Sequence, residues 1–118
     1  MSSASPPELP PTAERRPERR RRTLLGGRVS YDDGAHVFDC TIRDLSAGGA
    51  RITVPGQQPI ARNVFLINIR DRVVYEADVV WNKGGHAGLS FRRTLQIADL
   101  ADKNLEYLRR LWLERAAR

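Results

Sequence analysis

The spacing of apolar positions changes twice along the chain. Residues 1–13, MSSASPPELPPTA, carry almost nothing that can pack. Pro6-Pro7 and Pro10-Pro11 forbid regular helix, so a disordered tail is predicted there. Residues 14–23, ERRPERRRRT, are too charged for a core and read as an arm leading into a domain. From Leu24 to about residue 95 the pattern is that of short strands. LLGGRVSY is strand-like, with Gly26-Gly27 marking a bulge or a close backbone approach. Asp32-Asp33-Gly34 is a hairpin turn signal. HVFDCTIRD alternates, with Phe38, Cys40 and Ile42 on one face and Val37, Asp39, Thr41 and Arg43 on the other. DLSAGG is a Ser/Gly turn, and ARITV is a short strand stopped by Pro55-Gly56. NVFLINIR and VVYEADVVW form a further pair around Asp71-Arg72. The alternation places Tyr75, Ala77, Val79 and Trp81 on one face, and Trp81 and Phe91 read as core. Lys83-Gly84-Gly85 turns into HAGLSF. Turns that recur at intervals of roughly ten residues predict a small antiparallel barrel or sandwich.

The last segment changes period again. From about Asp99, DLADKNLEYLRRLWLERAAR holds neither Pro nor Gly. Ala101, Leu105, Leu108 and Trp112 fall at helical spacing, flanked by Leu100 and Leu111. Asp99 and Asp102 suit the positive end of the macrodipole, and Arg115 and Arg118 the negative end. The predicted organisation is a tail (1–13), an Arg-rich arm (14–23), a β-domain (24–95) and a C-terminal helix (96–118). The helix packs on the barrel or pairs with a second copy, and monomer and homodimer are both compatible with the sequence.

Composition narrows what such a domain does. The chain has 118 residues, 41% apolar, which suffices for one small core. Its formal charge is +6, and six Arg against two Glu within residues 14–22 supply most of that excess. A basic arm of this kind points to an anionic partner: nucleic acid, a nucleotide or a membrane surface. A single cysteine, Cys40, excludes an intrachain disulfide. With only His36 and His86 beside it, no metal site is expected. The N-terminal stretch lacks a signal-peptide pattern, and no apolar run approaches the ~18 residues of a membrane span. A cytoplasmic protein without membrane insertion is therefore expected.

No catalytic set emerges. Ser46 lies in a Ser/Gly turn without a nucleophile elbow, and no spacing ties it to His36 or His86. No catalytic residue is assigned, and an enzyme is not expected. The turn does, however, complement the arm. Asp44 and Ser46 alternate in an extended backbone and so point the same way. They offer acceptors and one hydroxyl donor suited to a guanine edge. Gly48-Gly49 clears space for a ligand or another backbone. The arm supplies planar guanidinium forks that match phosphate oxygens or guanine O6 and N7, and that stack on purines. Arg16 and Arg20 stand four apart, as do Arg15 and Arg19. In an extended arm either pair spans about 13 Å, the size of a dinucleotide.

The arrangement Arg16-Pro17-Glu18-Arg19-Arg20 followed by Asp44-Leu45-Ser46-Ala47-Gly48-Gly49 resembles the PilZ domain, a bacterial cyclic di-GMP receptor module. DLSAGGARI fits its D/N-x-S-x-x-G motif, and VVW followed by GLSF resembles its closing strands. The resemblance covers roughly residues 14–95. It implies a six- or seven-stranded antiparallel split barrel with a C-terminal helix. It also implies a ligand, cyclic di-GMP, on the barrel's outer surface, and no other cofactor. Carried over residue by residue, the ligand set is Arg16, Arg20, Asp44, Ser46 and Gly49. Arg15 and Arg19 satisfy the same spacing, and Arg21 and Arg22 are candidates for extra phosphate contacts. Ligand binding would order the arm and present a new surface to a protein effector that the sequence does not name. A nucleic-acid-binding domain anchored by the arm, and a PilZ-like interaction module without ligand, are the alternatives.

Overall fold

A computed structural model describes residues 21–56 and 59–117. Six strands run in order: β1 (Arg21–Tyr31), β2 (His36–Leu45), β3 (Gly49–Thr53), β4 (Asn63–Asn68), β5 (Val73–Lys83) and β6 (His86–Gln96). All neighbouring pairs are antiparallel. They close into a barrel in the order β1-β2-β3-β6-β5-β4. The six-stranded member of the two expected barrel sizes is thus the one formed, and closure leaves the ring without a long open edge. Asp32 and Asp33 both adopt left-handed backbone, φ 54° each, which their short polar side chains tolerate in the β1–β2 turn.

The barrel interior is filled by alternate residues of every strand: Val29, Ile42, Ile52, Leu66, Ala77 and Ala87 are fully buried there. The close approach expected at Gly26-Gly27 occurs at Gly27. A Cβ on it would lie 3.1 Å from both Cys40 Sγ and the Ile67 carbonyl. A second apolar cluster lies outside the barrel, where Ile67 and Val74 meet Ile97, Leu100, Leu108 and Leu111. β4 is therefore buried on both faces, and this explains why NVFLIN is almost continuously apolar.

The C-terminal helix, α1, spans Glu106–Ala116, several residues shorter than the sequence pattern suggests. Two 3-10 turns precede it, Ile97–Asp99 and Lys103–Leu105. Leu100 is extended, φ −69° and ψ 101°, which lets both Ile97 and Leu100 reach the outer cluster. The Asp102 carboxylate accepts from Asn104 N at 2.9 Å and starts a new turn. Ala101 is accordingly exposed and stands off the buried stripe. The arm boundary shifts as well, because Arg21–Thr23 already belong to β1. Polar anchors from Arg28 and Trp112 fix the helix to the barrel, and one from Arg109 ties it to the first 3-10 turn. Arg28 Nη1 donates to the Leu111 carbonyl at 3.0 Å and to Glu114 Oε1 at 2.9 Å. Trp112 Nε1 donates to the Ile69 carbonyl at 2.9 Å. Arg109 Nη2 donates to the Ile97 carbonyl at 2.9 Å.

Phe91 is half-buried as expected and stacks on Tyr75, with ring centroids 4.0 Å apart. Trp81 departs from the expected pattern. β5 shifts register against β6 between Val79 and Trp81. This irregularity ends the strict alternation, and Trp81 emerges on the outer surface, 45% exposed.

Leu108 is fully buried and Leu113 is 55% exposed, so Leu108→Ala should cost about 2–5 kcal/mol and Leu113→Ala less than about 0.5 kcal/mol in denaturant unfolding. Burial pushes the Cys40 thiol up to about 12 from 9.0, with the Asp39 charge adding to the shift and Arg115 opposing it. Native Cys40 should resist a thiol reagent that labels the unfolded chain fully. The unfolded thiol ionises first as pH rises, so this contribution to stability is complete below pH 9.0 and is lost towards about pH 12. The Tyr75 and Tyr107 phenols, also raised by burial, act in the same sense.

Candidate ligand site at the β2–β3 loop

Ile42 and Leu45 both join the barrel core although they stand three apart. A register shift between Ile42 and Asp44 makes this geometry possible, with Arg43 as the extra, exposed residue. The shift sets Asp44 opposite Arg51 on β3 and opposite Arg22 on β1. Asp44 is only 6% exposed. Its Oδ2 accepts from Arg51 Nε at 2.6 Å in a short charge-assisted ion pair. Arg51 Nη1 lies 3.4 Å from His86 Nδ1. The sequence reading did not single out Arg51. The pairing arises only from the hairpin register, shifted at Arg43, which places Arg51 across from the carboxylate.

Ser46 closes the loop on itself. Its Oγ accepts from Gly49 N at 3.2 Å and lies 3.3 Å from the Gly49 carbonyl, while Ser46 N donates to that carbonyl at 2.9 Å. Phe91 N donates to the Gly48 carbonyl at 2.8 Å and ties the loop to β6. Of the two reasons considered for the paired glycines, backbone approach applies to Gly49: a Cβ there would collide with the Leu89 carbonyl. An open cavity of about 220 Å³ lies beside the loop, lined by Ser46, Gly49, Arg51, Trp81, Gly88 and Ser90 among others. It combines hydroxyls, backbone, one guanidinium and one indole, a set suited to a planar polar ligand carrying negative charge.

Asp44, Ser46 and Gly49 are thus brought together within one loop and its flanking strand ends. Arg15, Arg16, Arg19 and Arg20 lie outside the described residues. Their point of attachment is defined by Arg21, which pairs with Leu45, and by Arg22, which pairs with Asp44. Among the described residues, no three His, Cys, Asp or Glu side chains gather to hold a metal ion, and no helix is long and apolar enough to cross a membrane.

The PilZ domain family model matches residues 14–113, and the chain belongs to that family. PilZ domains are in general cyclic di-GMP receptor modules rather than enzymes. The barrel is similar to the crystal structure of the PilZ domain of CeSA from a cellulose-synthesizing bacterium. The TM-score is 0.55 at 15% identity, over 82% of this chain and 98% of that one. At that identity the likeness is one of fold. No curated protein matches the chain in sequence.

Removing Arg51 would leave the Asp44 carboxylate sequestered with one fewer partner. Arg51→Ala should therefore destabilise the domain by about 1–3 kcal/mol in urea unfolding. Asp44→Asn should recover part of that loss in the double variant, giving a non-zero coupling energy in the cycle.

Proposed function

We propose that this protein is a cyclic di-GMP receptor that acts as an adaptor. The arginine arm grips the ligand through Arg16 and Arg20, or through Arg15 and Arg19 in the alternative register. Asp44, Ser46 and Gly49 receive a guanine edge at the β2–β3 loop. The observation that carries the reading is the β1–β2 register. With Arg22 opposite Asp44 and Arg21 opposite Leu45, the arm joins the barrel directly beside the loop. Arg20 is one peptide away from Arg21, about 3.8 Å between Cα atoms. Arg22 and Asp44, 22 positions apart in the sequence, thus lie side by side at one end of the barrel, which supports a clamp built from both parts of the motif.

The chemistry of the described half fits this role. Among the described residues the Asp44 carboxylate is held by Arg51 through Oδ2, and Oδ1 is the oxygen that accepts an N–H of the base. Ser46 Oγ takes one hydrogen bond from Gly49 N, and a hydroxyl oxygen has a second acceptor position. Ligand phosphates neutralise the like charges of the arm, which then folds against the barrel. Ordering a segment costs about 2–5 kcal/mol, and a micromolar complex corresponds to about 8 kcal/mol net. Several charge-assisted contacts of about 1.5–3 kcal/mol each supply that without a deep pocket. The ordered arm presents a new surface to a protein effector in the cytoplasm.

Calorimetric titration with cyclic di-GMP, GTP and cyclic di-AMP tests the reading and its selectivity. Wild type should bind cyclic di-GMP preferentially. Arg16→Ala, Arg20→Ala and Ser46→Ala should each weaken binding about ten-fold or more, the order of one charge-assisted contact. Undiminished binding in all three removes the site assignment. Trypsin cleavage within residues 15–22 should slow when ligand is present. Binding to nucleic acid that falls steeply with salt and does not depend on Asp44 would favour the nucleic-acid alternative instead.

A further inference from the structure

The β2–β3 ladder stops before β2 does. Its last pair is Thr41 with Thr53, although β2 begins at His36. Continuing that register by two positions sets Asp39 opposite Pro55, which has no N–H to give. The chain turns away at Gly56, φ 62°, and Val54 N donates instead to the Gly85 carbonyl. An open cavity of about 280 Å³ lies in the resulting wedge, lined by Asp39, Thr41, Thr53, Val54, Pro55 and Arg115 among others. Two side-chain hydrogen bonds fix which way the β2 backbone faces here. Thr53 Oγ1 donates to the Thr41 carbonyl on the β3 side, and Thr23 Oγ1 donates to the Ile42 carbonyl on the β1 side. Backbone groups alternate sides along a strand, so Asp39 and Val37 direct their N–H and C=O towards the wedge. Among the described residues, neither has a backbone partner on that side.

We propose that this end of β2 is a strand-addition site, where an extended segment of a partner protein pairs with Val37 and Asp39 and brings an acidic residue to Arg115. Main-chain bonds to the open edge supply affinity, and the side chains that alternate from it supply selectivity. The acidic residue follows from the charges at the border. Three guanidinium groups, on Arg28, Arg110 and Arg115, share two carboxylates, on Asp39 and Glu114. Arg28 Nε and Arg115 Nε crowd the same oxygen, Asp39 Oδ1, at 3.0 and 3.3 Å, and neither meets it with hydrogen-bond geometry. Arg28 is compensated by the Leu111 carbonyl and Glu114. Arg115 is the cation that borders the cavity, and its guanidinium rests on Gly26, where a Cβ would lie 3.0 Å from Nη2. Residues flanking the acid are β-branched, as suits a pleated, half-buried surface. The edge is separate from the cavity bordered by Arg51. It gives the adaptor reading above a docking surface, and rests on that reading only in calling the partner an effector.

Amide hydrogen exchange in the full chain tests the edge itself. The Val37 and Asp39 N–H groups should exchange about ten-fold or more faster than those of Phe38 and Cys40, which point to β1. The docking probe is the peptide TVEVT, blocked at both ends and titrated by NMR in the absence of cyclic di-GMP. It should bind saturably and slow exchange at Val37 and Asp39. Replacing it by TVQVT, or introducing Arg115→Ala, should weaken binding about three-fold, the order of one partly exposed ion pair, and Arg115→Lys should retain it. Equal protection of the four amides, no saturable binding of TVEVT, or unchanged affinity in Arg115→Ala overturns the inference. Protection that grows with protein concentration, together with dimers in sedimentation, assigns the edge to a second copy and overturns it as well. Binding of cyclic di-GMP is measured separately, so failure of the docking edge leaves the receptor reading standing, and the reverse.

Discussion

The extra residue at Arg43 is the constraint on which the site depends. A strand with strict alternation cannot bury two side chains three positions apart on one face. Ile42 and Leu45 are nevertheless both in the barrel core. The inserted residue resolves the conflict and turns Asp44 towards Arg51. The ion pair that results fixes the carboxylate at the start of the loop, and the loop's own hydrogen bonds fix Ser46 relative to Gly49. β1 makes a matching shift between Arg22 and Leu25, so the strand that carries the arm follows the same distortion. Core packing and site geometry are thus two consequences of one irregularity.

The barrel has two apolar surfaces, and the second one determines what the helix can do. α1 covers the outer faces of Ile67 and Val74 and is pinned by Arg28, Arg109 and Trp112. It occupies a different part of the wall from the cavity bordered by Trp81 and Arg51. A ligand at the β2–β3 loop therefore need not displace the helix. The cavity and the helix thus use separate faces of the same small ring.

Much of this was legible in the sequence. The turns at Asp32-Asp33-Gly34 and Lys83-Gly84-Gly85 lie where their φ-tolerant residues predict them, and the alternation of Phe38, Cys40 and Ile42 marks the inward face of β2. The DLSAGG turn between β2 and β3 was likewise legible as a turn. Trp81 was read as core because alternation is a local rule, and a register shift against a neighbouring strand is not visible in one strand's own pattern. The Asp44–Arg51 pair was missed for a related reason. Residues seven apart in sequence become partners only once the hairpin register is set. The helix begins later than its apolar spacing suggests because Leu100 is extended between two 3-10 turns, which lets Ile97 and Leu100 pack with Ile67 and Val74.

The sequence by itself determined the antiparallel strands and their turns, the presence of a C-terminal helix and the excess charge of the arm. These depend on local periodicity, turn chemistry and residue type, which are written in short windows of the chain. The tertiary structure alone decided which side of the wall Trp81 occupies, which cation holds Asp44, and that the arm's first strand pairs directly with the loop. Each of these depends on register between strands distant in sequence, and register is set by how the whole ring closes around its core.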